Sequence, residues 1–199
     1  MYQNLRQVGS NTSEQSTLPS GLQVGLGVRT VATSRNFGQG NLQQTGNNLD
    51  IAIQGNGFFQ LTLPDGTLGY TRDGAFQIDN QGRLVTASGL PVSGGITVPS
   101  NATGVSVAAD GSVSASIPGT SAPQSIGTIT LASFVNPSGL EPKGQNIYTE
   151  SAASGQPNAG AAGANGLGSL MQGFVETSNV NVVQELVTMI QTQRAYEMN

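Results

Sequence analysis

Apolar residues recur at every second position through much of the chain and at every third or fourth near its end, which predicts a β-rich protein finishing in a helix. Val24, Leu26 and Val28 share one face of a strand-like stretch that Arg29, Val31 and Thr33 continue, until Asn47-Asn48 breaks it. Leu49, Ile51 and Ile53 then begin a string of short alternating runs separated by turn residues. Leu61-Thr62-Leu63 enters Pro64-Asp65-Gly66, where Pro presets φ for the first turn position and Gly accepts positive φ. Asp73-Gly74, Asp79-Asn80-Gln81-Gly82 and Asp110-Gly111 punctuate the chain in the same way. Val105 and Val107 before the last of these turns, and Val113, Ala115 and Ile117 after it, alternate cleanly. Ile126, Ile129, Leu131 and Phe134 mark a buried strand over residues 126–134. Such spacing predicts an antiparallel β sandwich or barrel-like domain.

Residues 1–22 are polar and lack a period, which suits an extended segment, and residues 23–48 read as an extended β connector. The β domain proper is expected over 49–150. A Gly/Ala-rich loop and a return to the connector follow over 151–172, and a C-terminal motif and helix over 173–199. Within the last segment, Asn181 followed three residues later by Gln184 resembles a capping box, and neither Gly nor Pro occurs after Gly173. Val182, Leu186, Met189 and Tyr196 form one stripe, and Val183, Val187 and Ile190 a second beside it. At 100° per residue the two stripes span roughly 180°, wider than the ~100° of a single contact face. A helix of this length is marginal alone in water. With no second helix of similar quality in the sequence, its partner is expected on another chain or on a part of the protein outside these residues.

Composition narrows the function. Only 9% of residues are charged, the net charge is −4 and Gly numbers 28, so solubility rests on neutral polar groups. That suits a protein packing against copies of itself, and equally a secreted Gly/Ser/Thr-rich β domain. The chain has no His and no Cys, and Lys143 is its only lysine. Imidazole and thiolate metal sites, Ser–His and Cys–His nucleophile pairs and disulfides are thereby excluded. Seven basic residues on an acidic chain argue against nucleic-acid binding, and no run resembles a signal peptide or membrane span.

Local motifs for chemistry are weak. Gly55-Asn56-Gly57 begins like a dinucleotide fingerprint, but Gln60 stands where the third Gly belongs and a strand pattern follows. Asp73, Asp79 and Asn80 lack the order of a calcium loop and are explained as hairpin turns. A glycosidase-type carboxylate pair is not excluded by eleven Asp and Glu, yet the chain has no Trp and only 5% aromatics for stacking sugars. Asn11-Thr12-Ser13 and Asn101-Ala102-Thr103 match the glycosylation sequon, a weak signal at this length. No catalytic, cofactor-binding or metal-binding residue is assigned.

Longer motifs carry a resemblance. Gly55-Asn56-Gly57-Phe58-Phe59, Tyr70-Thr71-Arg72-Asp73-Gly74-Ala75-Phe76, Asp79, Gly82, Leu84-Val85-Thr86 and Gly89 resemble the core signature of the flagellar rod and hook protein family. Residues 173–182, from Gly173-Phe174-Val175-Glu176 to Asn181-Val182, with Glu185-Leu186-Val187 and Gln193 to Glu197, are similar to that family's carboxy-terminal motif. Residues 2–7 and 13–19, with Tyr2, Leu5, Arg6, Leu18 and Pro19, resemble a segment typical of its distal-rod members and lacking in hook members. The resemblance also implies helices at both ends beyond the residues present, so a shortened chain is expected.

What the resemblance implies is a structural subunit, not an enzyme, that needs no cofactor. It would stack head-to-tail into a rigid helical tube that transmits torque to the hook. Its partners would be itself, the adjacent proximal rod and hook proteins and the surrounding basal-body ring proteins. It would be exported through the flagellum's own channel, without a cleavable signal, to the periplasm-spanning rod. Residues 2–19 would add subunit contacts, and Val182, Val183, Leu186, Val187, Met189, Ile190 and Tyr196 would form an axial helix seam. The alternatives are a proximal rod or hook subunit, and a β-rich carbohydrate-binding or phage-tail-like adhesin module.

Overall fold

A computed structural model describes residues 2–4, 11–13, 16–17, 23–25, 35–120 and 122–197, with side chains from Arg35 onward. The chain divides into two compact units, Met1–Arg35 and Asn36–Asn199. In the first, β1 (Tyr2–Asn4) and β4 (Gln23–Gly25) pair antiparallel, and nested between them in sequence are β2 (Asn11–Ser13) and β3 (Ser16–Thr17), also paired antiparallel. Of the predicted contact residues, Tyr2 begins β1, whereas Leu5, Arg6, Leu18 and Pro19 lie outside the described residues.

The second unit begins with β5 (Leu42–Gln44), β6 (Ile51–Gln54), β7 (Phe58–Thr62), β8 (Leu68–Thr71), β9 (Phe76–Ile78) and β10 (Leu84–Thr86). It continues through β11 (Gly104–Val107), β12 (Ser112–Ser116), β13 (Gln124–Thr128), β14 (Thr130–Ser133), β15 (Glu141–Gly144) and β16 (Ile147–Thr149). Then come β17 (Asn158–Ala161), β18 (Ser169–Gln172), β19 (Phe174–Glu176) and the helix α1 (Val182–Glu197). A six-stranded antiparallel sheet runs in the order β15-β16-β8-β7-β14-β17. Facing it are a three-stranded sheet, β11-β12-β13, and the pairs β9–β10 and β6–β18. The architecture is sandwich-like, mainly antiparallel β with a C-terminal helix, as the alternation predicts. No helix among the described residues is long and apolar enough to cross a membrane.

Alternation in β7 divides the interior. Phe59 and Leu61 point into the main core with Ile51, Phe76, Val113 and Leu131. Phe58, one residue earlier, points to the opposite face of the sheet. There it joins Tyr70, Phe134 and Leu140 in a second, smaller cluster covered by Phe37 and Tyr148. Its rings meet edge to face, Tyr70 with Phe134 at 4.8 Å and Phe37 with Tyr148 at 5.2 Å between centroids. Burial raises the Tyr70 hydroxyl above its usual range, helped by the Glu150 carboxylate.

The predicted turns are built by side chains accepting from nearby backbone. Asp65 accepts from the hydroxyl and N–H of Thr67, and Asp110 from Ser112 N–H and hydroxyl, so both carboxyls sit below the usual carboxylate range. Asp79 accepts from the N–H groups of Gln81 and Arg83 and pairs with the Arg83 guanidinium.

Three sequence readings differ from the structure. Asp73-Gly74 closes no hairpin: β8 before it pairs with β7 and β16, whereas β9 after it pairs with β10, so the chain passes there from one sheet to another. Residues 126–134 are not one strand: β13 belongs to the three-stranded sheet and β14 to the six-stranded one. Between them Ile129 is fully buried and donates its N–H to Gly111 O at 2.8 Å. The apolar pattern runs across this crossing because Ile126, Ile129 and Leu131 all pack in the main core, whereas Phe134 belongs to the second cluster. The Gly/Ala-rich stretch, read as loop, supplies the edge strand β17, whose backbone pairs Thr130↔Ala161 through Ser133↔Asn158. Ladder hydrogen bonds need no side chains, so a strand of small residues leaves no periodic trace. At the opposite edge, Pro142 and Lys143 of β15 discourage a further strand.

Candidate functional site

Within the second unit the chain approaches and leaves the β domain along a two-stranded ribbon. β5 and β19 pair antiparallel as Leu42↔Glu176, Gln43↔Val175 and Gln44↔Phe174. Beyond the ladder, side chains of residues 177–179 continue the pairing. The N–H and hydroxyl of Thr177 both donate to Asn41 O, at 2.8 and 3.0 Å. The Asn179 amide donates to Gly38 O at 2.8 Å and Asn36 O at 3.3 Å.

Gly40 makes this closeness possible. A Cβ there would lie 1.8 Å from Thr177 O, a backbone atom that no rotamer change can move aside. Gly40→Ala is therefore expected to spread the ribbon next to the helix while the β domain stays folded. Losing two or three hydrogen bonds at about 1 kcal/mol each should speed exchange of the Thr177 amide roughly 100-fold. Hydrogen exchange followed by mass spectrometry checks this, with the Leu131 region as the unchanged control; equal Thr177 protection in both proteins contradicts it.

Four side chains fasten the ribbon to the domain. Phe37 covers the aromatic cluster, 5.5 Å from Phe58. Gln39 donates to Ile53 O and accepts from Gly55 N–H, both at 3.1 Å. Arg72, immediately after β8, donates from Nε to Glu176 Oε2 at 2.8 Å, from Nη1 to Gly57 O at 3.0 Å and from Nη2 to Gly55 O at 3.1 Å. Glu176 Oε1 accepts from Gly40 N–H at 2.8 Å. The two charged side chains retain only 15% and 12% of their exposure, so their charges are neutralised and hydrogen-bonded where water is scarce.

An open groove of about 430 Å³ runs beside this junction, walled by Phe37, Arg72, Asp73, Tyr148, Glu176 and Asn179. Its carboxylates serve its own walls. Both Glu176 oxygens are occupied, and Asp73 Oδ1 accepts from Ala75 N–H.

Past the ribbon, Asn181 caps α1, its Oδ1 accepting from Val183 N–H at 3.1 Å and Gln184 N–H at 3.3 Å, which is the Asn181 half of the predicted capping box. Glu185 in the first turn and Arg194 in the last suit the helix dipole. None of the sixteen helix residues is buried. Val182, Val183, Leu186, Val187, Met189, Ile190 and Tyr196 are all exposed, brought together on one broad face without a cover.

Sequence reasoning found these helix positions but gave no role to Phe37, Gly40, Arg72, Glu176 or Asn179. A signal was available for the charged pair. In a chain with 9% charged residues, Arg72 and Glu176 each sit inside one of the two long motifs.

Comparison with known proteins bears on the same regions. Residues 52–115 match the family model described as flagellar hook protein FlgE/F/G D1 domain, and residues 171–199 the one described as flagellar basal body rod FlgEFG protein C-terminal. The whole chain is 55% identical to the flagellar basal-body rod protein FlgG of Buchnera aphidicola subsp. Acyrthosiphon pisum, of which it covers 76%. It is 42% identical to FlgG of Caulobacter vibrioides over 100% of this chain and 76% of that one. Flagellar basal-body rod protein FlgF of the same organism is 35% identical over 85% of this chain and 66% of its own length.

Proposed function

This chain belongs to the flagellar basal-body rod protein family, and from that membership we propose that it is a structural subunit of the distal rod, built to polymerise rather than to catalyse. The observation carrying this reading is the helix α1, which holds seven large apolar side chains in the open at the end of a stapled ribbon. An uncovered face of that breadth needs partners on more than one side, and copies of the same helix supply them. Identical subunits meeting through unlike surfaces, without closing a ring, generate a helical tube. In that tube the α1 seam lies toward the axis and the β domain forms the outer wall. Residues 2–19 add contacts between subunits. Neighbours along the axis are proximal rod and hook proteins, and the basal-body rings surround the wall. Identity to FlgG along the whole chain, greater than to FlgF within Caulobacter vibrioides, supports the distal-rod reading.

The test is complementation. The gene encoding this chain, placed in a bacterium lacking its own distal-rod gene, is expected to restore rods in isolated basal bodies examined by electron microscopy. Basal bodies that stop at the proximal rod, despite export of the protein, count against the reading.

A further inference from the structure

Arg72 and Glu176 are 104 positions apart, yet they bring four segments to one point. The guanidinium fork spans the outgoing strand through Glu176 and the turn between β6 and β7 through the carbonyls of Gly55 and Gly57. The free oxygen of Glu176 takes the Gly40 N–H of the incoming strand. One ion pair therefore ties both strands of the ribbon to each other and to the sandwich. Helix α1 begins at Val182, six positions after Glu176, and none of its residues is buried. Its direction relative to the β domain is consequently decided in the ribbon.

We propose that the Arg72–Glu176 pair is a positioning joint. It fixes the angle at which α1 leaves the β domain, and through it twisting load passes between the helix and the outer wall. The load-bearing half of this statement rests on the rod-subunit reading; the angular half does not. Shape matters here as well as charge. A rigid planar fork reaches three acceptors in fixed directions, whereas a lysine ammonium is a point charge on a flexible stem and cannot hold all three. Arg72→Lys keeps the charge and releases the geometry. Glu176→Gln keeps the outline, removes the charge and leaves one oxygen to accept from either Gly40 N–H or Arg72 Nε–H instead of both.

The chain has no cysteine, so a nitroxide pair at Asn101→Cys and Gln191→Cys reports solely on the β domain and α1. Both sites are exposed and outside the joint. Electron–electron distance measurement on the full chain in solution is expected to give a narrow distribution. Its width should at least double in Arg72→Lys, with a smaller broadening in Glu176→Gln. An Arg72 that merely stabilises the fold would lower the unfolding midpoint in both variants and leave the width alone. Unchanged width in folded Glu176→Gln and in Arg72→Lys overturns the joint, and if Arg72→Lys fails to fold, the Glu176→Gln width alone decides. Because the measurement needs no polymer, a widened distribution in a chain that never builds rods keeps the joint and removes the rod reading. In cells, Arg72→Lys rods of normal number that turn their filaments with full torque overturn the load-bearing half.

Discussion

Replacing Leu186 with Asp is expected to abolish rod assembly while leaving the β domain folded. Leu186 lies mid-way along the apolar face of α1 and is 53% exposed in the single chain, so the fold does not depend on it. On the proposed assembly, the same position is enclosed by neighbouring helices. With about half of the side chain already covered, the substitution forfeits about 1–1.5 kcal/mol of apolar burial. It also asks a carboxylate to leave water without a partner, at a cost of several kcal/mol more. Every 1.4 kcal/mol is tenfold in an equilibrium constant, so the concentration needed for growth rises by roughly a thousandfold or more. The check has two halves: circular dichroism and thermal unfolding of the variant beside the parent, and electron microscopy of basal bodies. Rods of normal length made from the variant would remove α1 from the seam.

Gly74→Ala should strike the β domain itself. A Cβ on Gly74 would sit 1.7 Å from Ile51 O and 2.8 Å from its carbonyl carbon, with the Phe59 ring 3.3 Å away. Gly74 O also accepts the Ile51 N–H at 3.0 Å, so the two backbones are fastened together at the point of collision. Ile51 and Phe59 are among the most deeply buried residues, which leaves no space for retreat. Backbone on backbone clashes cannot be relieved by rotamers, and a loss beyond about 4 kcal/mol is expected from a total of about 5–15. Gly66→Ala supplies the contrast. That residue has φ +82° and nothing within 4 Å of the added methyl, so only left-handed strain of about 1–2 kcal/mol applies. Urea unfolding of the two variants should separate them widely. Equal midpoints would mean that the β6 backbone yields where it is drawn as fixed.

Local signals in the sequence account for the features made locally. Pro64-Asp65-Gly66 and Asp110-Gly111 turn the chain where their chemistry says they must, and Asn181 starts the helix. Val107, Val113 and Ala115 are buried in the alternation that marked them as strand faces. Pairing is another matter. Nothing near Ile129 announces that the strands on either side of it enter different sheets, since Ile126 and Leu131 flank it in the same core. In β17 the side chains are too small to leave a pattern. The junction is harder still: Asn179 completes hydrogen bonds to carbonyls some 140 positions earlier, and Arg72 reaches Glu176 across most of the domain. Such partners are selected by topology, which periodicity does not encode. The apolar stripe of α1 was legible for the opposite reason, because its spacing is a property of the helix alone.

The pairing of β5 with β19 has a further consequence, for how such a protein can change. Gln44 and Phe174 stand opposite one another, and the N–H of Thr45 donates to Gly173 O at 2.9 Å. Everything between Thr45 and Gly173 is therefore an excursion that returns to its starting point. A lineage can enlarge or decorate it, away from Arg72, Gly55 and Gly57, without moving the two strands that lead away. The outer surface can therefore diversify at one rate and the strands leading to α1 at another, provided that the Arg72 side of the junction is kept.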